Sequence, residues 1–64
     1  MKAENIVFET KVGGYKYVYD IDGFINVFDN DNCFYRHKAD CVSKKDFEIE
    51  VTYTAQKVYE LTFG

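Results

Sequence analysis

Two glycine-bearing dipeptides, Gly13-Gly14 and Asp22-Gly23, constrain this chain more than any other feature. Both tolerate the positive φ angles that a type I′ hairpin turn demands, and both sit between alternating apolar runs. Read as two-residue loops, they set Val12 opposite Tyr15 and Ile21 opposite Phe24. Counting outward pairs Thr10 with Tyr17, Phe8 with Tyr19 and Ile6 with Ile21, then Tyr19 with Asn26 and Tyr17 with Phe28. Because successive side chains point to opposite faces of a strand, Phe8, Tyr15, Tyr17, Tyr19, Phe24, Asn26 and Phe28 fall on one face. Glu9, Lys11, Lys16, Val18, Asp20, Ile25 and Val27 fall on the other.

The C-terminal stretch also alternates: Phe47, Ile49, Val51 and Tyr53 interleave with Glu48, Glu50, Thr52 and Thr54. With residues 55–57 as a loop, Tyr53 faces Tyr59, Val51 faces Leu61 and Ile49 faces Phe63. This predicts a second hairpin, half-buried, with Glu48, Glu50 and Glu60 on its solvent side. Between the two units, residues 33–39 alternate as a strand entered through a four-residue turn, Asp29 to Asn32. A short helix near 31–42 is the alternative, with Cys33, Phe34, His37 and Cys41 on one face. The aromatics and the scarcity of good helix formers favour the strand.

The expectation is one small all-β domain over residues 1–64. It has five or six antiparallel strands, curled into an SH3-like or OB-like barrel or left as a meander, with Val58–Phe63 as an edge strand. A chain of 64 residues buries only about 60% of its unfolded surface and is marginal alone. Six Phe and six Tyr offset this, and their surplus points to self-association or a partner.

Eleven acidic against eight basic side chains give a net charge of −3, with a single arginine. Such a balance suits a basic partner better than phosphates, and arginine is the preferred reader of bases. No apolar signal region opens the chain, and no run approaches a membrane span, so the expectation is a cytoplasmic protein. Phe, Tyr, Met, Ile, Asn and Lys number 28 against 8 of Gly, Ala, Arg and Pro. That bias matches an AT-rich genome such as a low-GC bacterium, a mobile element or a phage, the last implying a host cytoplasm.

Cys33, His37 and Cys41 tempt one toward zinc. The two cysteines would lie about 12 Å apart on a helix and about 26 Å apart on a strand. One ion with ligands at about 2.0 to 2.3 Å cannot hold both. The same distances forbid a straight-element disulfide, so two reduced thiols are expected. A Cys-His nucleophile pair would need a cleft with oxyanion donors, and no segment supplies one. Asp20-Ile21-Asp22-Gly23 and Asp29-Asn30-Asp31-Asn32 resemble calcium loops, but Phe24, Ile25, Cys33 and Asp40 stand where ligands or glycine belong. No metal, cofactor or catalysis is expected.

What remains is binding. The leading expectation is a non-catalytic interaction module: a small acidic inhibitor of phage or mobile-element type, acting against defence machinery as an anti-CRISPR or DNA mimic. It would occlude a basic site on a nucleic-acid-handling protein through Asp20, Asp22, Asp29, Asp31, Glu48 and Glu50, anchored by Tyr15 and Tyr17. The alternative is an SH3-like or OB-like nucleic-acid binder using Arg36, Lys38, Lys44 and Lys45 with exposed tyrosines. A third reading is a structural subunit that homodimerises through an edge strand.

Overall fold

In the computed structural model, which describes residues 5–63, four strands form an antiparallel meander in the order β1-β2-β3-β4. They span Ile6–Val12 (β1), Tyr15–Asp20 (β2), Phe24–Asp29 (β3) and Asn32–Lys38 (β4), and a helix, α1, spans Lys44–Phe63. The fold is predominantly β, but among the described residues the sheet is open and has neither the expected fifth strand nor a barrel closure.

The first hairpin forms as its turn dictates. Gly13 and Gly14 both carry positive φ, 59° and 85°, the combination of a type I′ turn. Val12 pairs with Tyr15, Thr10 with Tyr17 and Phe8 with Tyr19. A register shift between Ile6 and Phe8 then sets Ile6 against Asp20 rather than Ile21.

The second hairpin differs from expectation by one residue, and that changes everything on β3. Tyr19 pairs with Ile25 and Tyr17 with Val27, not with Asn26 and Phe28. Gly23 has φ 87° whereas Asp22 is not in the left-handed region, so Asp22-Gly23 is not a two-residue type I′ turn. Instead residues 21–23 form a three-residue loop closed by Gly23 N–H donating to Asp20 O at 3.1 Å. A one-residue slip moves every side chain to the other face. Here it turns Ile25 and Val27 inward, both with 0% exposure, and turns Phe24, Asn26 and Phe28 away from the tyrosines.

β4 confirms the strand reading of the middle segment. Asn30, with φ 59°, makes the turn between Asp29 and Asn32. A register shift between Val27 and Phe28 still leaves Val27 opposite Tyr35 and Ile25 opposite His37.

The predicted C-terminal hairpin is a helix of 20 residues. Its proposed loop, Ala55-Gln56-Lys57, contains good helix formers and nothing suited to a turn. At its start Ser43 is the N-cap: its Oγ accepts from Asp46 N–H at 3.3 Å, and Asp46 Oδ2 accepts from Val42 N–H at 3.2 Å. This is a close variant of the capping box. Phe47, Val51, Thr54 and Val58 form the buried stripe, and Phe47, Val51 and Val58 pack with Tyr17, Tyr19, Ile25, Val27 and Cys41 in a single cluster. Phe8 is stacked on Phe47 at 5.5 Å between ring centroids. The Tyr19 hydroxyl donates to Ala39 O at 2.9 Å and accepts from Cys41 N–H at 3.1 Å, tying the β4–α1 connection to the sheet.

Candidate interaction surface

The helix decides which side chains are available. At 100° per residue Ile49 and Gln56 point opposite its buried stripe, with Glu60 and Tyr53 turned about 30° and 50° toward β4 and Lys45 and Phe63 about 30° toward β1. Ile49 is 47% and Tyr53 62% exposed. Asp46 and Glu60 lie two turns before and after Tyr53, about 10 Å along the axis in each direction. The flank nearer β1 presents Tyr59 and Phe63, whose rings meet at 5.1 Å. Together with Val12, Gly13, Tyr15 and Ala55 they line an apolar groove of about 220 Å³. The β4 flank opens into a second groove of about 310 Å³ lined by Tyr35, His37, Tyr53, Thr54 and Lys57 among others. There Thr54 Oγ1 donates to Glu50 O at 2.7 Å, so the 2.7 Å contact to His37 Nε2 places the imidazole N–H on Nε2.

The sheet face away from the helix is built differently. Val18, Asp20 and Asn26 are buried there, and among the described residues no helix or strand covers them. Asp20 Oδ1 accepts from the backbone N–H of Asp22 and of Phe24, both at 3.0 Å. Its Oδ2 accepts from Asn26 Nδ2 at 2.9 Å and lies 3.7 Å from Arg36 Nη2. The Arg36 guanidinium rests over the Phe24 ring, 3.8 Å from its centroid. Burial pushes the Asp20 carboxyl up, but Asn26, the two backbone donors and Arg36 outweigh it and hold its pKa below the ordinary value.

Several residues expected at a contact surface are thereby placed elsewhere. Asp20 is a turn-organising acceptor inside this network, and Tyr17 is core, with 1% exposure. Neither is free to touch a partner. Glu48 and Glu50, expected side by side on a strand face, point about 200° apart on a helix and sit on opposite flanks of α1. Asp22 belongs to the β2–β3 loop, whereas Asp29 and Asp31 belong to the β3–β4 turn at the opposite end of the sheet. All three are exposed, but they do not make one acidic patch. Tyr15 is half-buried, 5.3 Å from the Phe34 ring. The basic residues also divide: Arg36 and Lys38 lie on β4, with Arg36 engaged by Asp20 and Phe24, while Lys44 and Lys45 open the helix.

Cys33 and Cys41 are free thiols, the first exposed and the second buried. Burial, then the charges of Glu50, Asp46 and Asp40, push the Cys41 thiol pKa up, the direction that makes a thiol inert. Among the described residues no helix is long and apolar enough to cross a membrane.

Alternation places Ile49, Tyr53, Tyr59 and Phe63 in strand pairs, which hides them as surface. Two signals marked the helix. One was Ser43 followed three residues later by Asp46; the other was the 20-residue run after it, free of glycine and proline. The chain matches no protein-family model, no curated protein and no solved structure.

Proposed function

We propose that this protein is a non-catalytic interaction module, a small acidic inhibitor of the phage or mobile-element type that covers a basic site on a nucleic-acid-handling protein. The observation that carries the reading is the outward row of α1, where Ile49 and Tyr53 are exposed opposite the packing stripe. A rigid helix presenting an aromatic anchor to a groove is a recurrent way for one protein to recognise another. Tyr53 supplies the anchor, and the carboxylates of Asp46 and Glu60 to either side match a cationic rim. The net charge of −3 steers the same class of partner.

The test is affinity capture with the wild type and an Ile49→Ala/Tyr53→Ala double variant, paired with gel shifts on single- and double-stranded oligonucleotides. The wild type should retain a basic protein in a salt-sensitive manner and leave the oligonucleotides unshifted, while the double variant loses the protein. Salt-sensitive oligonucleotide binding, or capture that survives the double substitution, rejects the proposal.

A further inference from the structure

The open sheet ends in two edges, β1 and β4, and they respond oppositely to a copy of themselves. The Gly13-Gly14 turn closes on the Val12–Tyr15 pair. Hydrogen-bonding groups alternate from there, so Phe8, Thr10 and Val12 direct theirs to β2, and Val7, Glu9 and Lys11 direct theirs outward. Two-fold antiparallel pairing of β1 with a second β1 must therefore match these odd positions with one another.

Few registers do this well. Centred on Glu9, the pairing sets two glutamates face to face; centred on Lys11, two lysines. Centred on Phe8, it leaves both charges without an opposite. Centred on Thr10, it places Glu9 of each copy opposite Lys11 of the other, and Phe8 opposite Val12 on the helix side. Over residues 8–12 each cross-strand pair is then complementary.

A defect within the single chain points the same way. Lys11 stands directly opposite Lys16 in the hairpin, a like-charged pair that is unfavourable. Glu9 reaches Lys16 at 3.2 Å, and among the described residues Lys11 has no ion-pair partner. Glu9 from a second copy would supply one. The apolar groove agrees as well: Val12, Tyr59 and Phe63, exposed by 43%, 64% and 72%, gather beside this edge. A two-fold axis perpendicular to the sheet would bring both copies of that flank to the seam. β4 has Arg36 and Lys38 and no carboxylate, so pairing with itself gathers cations, which protects that edge.

We infer that this protein forms a two-fold dimer through β1, in the register centred on Thr10, joining two sheets into one with both helices on the same side. The dimer does not use the outward row of Ile49 and Tyr53, so the inference stands apart from the proposed function. Sedimentation equilibrium over about 10 to 500 µM at low salt tests it. The wild-type mass should rise from 7.5 kDa toward twice that value. Lys11→Glu sets glutamate opposite glutamate across the seam but removes the Lys11–Lys16 repulsion within the chain, so it endangers dimerisation and not folding. It should weaken the dimer by about tenfold or more, as should Glu9→Lys. An equimolar mixture of the two single variants should recover dimer, because each chain then meets its opposite. A wild type that stays monomeric throughout, a dimer indifferent to Lys11→Glu, or a mixture that fails to recover would overturn the inference.

Discussion

The two faces of the sheet are held by different physics. On the helix side Tyr17, Ile25, Val27, Phe47 and Val58 are all at most 2% exposed, and the face is stabilised by apolar area removed from water. On the other side a carboxylate, an amide and a guanidinium organise the surface around Asp20. One face needs a covering element; the other closes itself with hydrogen bonds. The comparison teaches that the polar groups buried on the bare face depend on satisfying a charge, a more brittle arrangement than apolar packing, since removing Asn26 takes a donor from the buried Asp20 carboxylate.

Five substitutions break or sharpen that contrast. The largest effect should come from the covered face: Phe47→Ala removes the ring stacked on Phe8 and should cost about 3 to 5 kcal/mol, enough to lose the urea unfolding transition in so small a domain. Next comes the bare face. Asp20→Ala leaves the backbone N–H groups of Asp22 and Phe24 without their side-chain acceptor and Asn26 Nδ2 with only its 3.3 Å contacts to Val18 O and Phe24 O, and should cost about 3 kcal/mol, read as a fall in the urea midpoint.

The same carboxylate predicts a pH signature. Its folded pKa is lowered, so its contribution is complete above the unfolded value of about 3.9 and is lost as pH falls from there through the folded pKa. Chemical denaturation at pH 7 and at pH 3 should show this loss in the wild type and a smaller one in Asp20→Asn. An equal loss in both would mean that other carboxylates carry the acid sensitivity.

Gly23→Ala should cost about 1 to 2 kcal/mol, from the positive φ of 87° alone. Ala39 O at 3.7 Å and the Tyr19 hydroxyl at 3.8 Å leave ordinary room for a Cβ. The smallest effect on stability belongs to Tyr53→Ala. Its ring is mostly solvated, so the thermal midpoint should move by no more than about 0.5 kcal/mol implies; a larger shift would show that the outward row is structural.

The β half of the fold was legible because its specification is local. Gly13-Gly14 determines the first hairpin and its register, and alternation with aromatic residues marks β4. The slip at the second turn was legible in principle. A three-residue loop sends Ile25 and Val27 to the core and Asn26 outward, and the apolar pattern prefers that to the dipeptide rule. The helix was harder. Val51, Thr52, Tyr53, Thr54, Val58 and Tyr59 are mediocre helix formers that also alternate as a strand. Their helix depends on docking Phe47, Val51 and Val58 against the sheet, as most helices in proteins do. The candidate surface followed the helix: once the spacing changed from two to 3.6, Glu48 and Glu50 separated and Ile49 and Tyr53 came together.

The sequence by itself determined the tight reversals, the antiparallel order of the strands and the acidic balance, because turns and charge act over a few residues or over none. Only the tertiary structure decided whether the last twenty residues coil or extend and which aromatics reach solvent. Those outcomes rest on contacts between residues distant in the chain, where burial outweighs local preference.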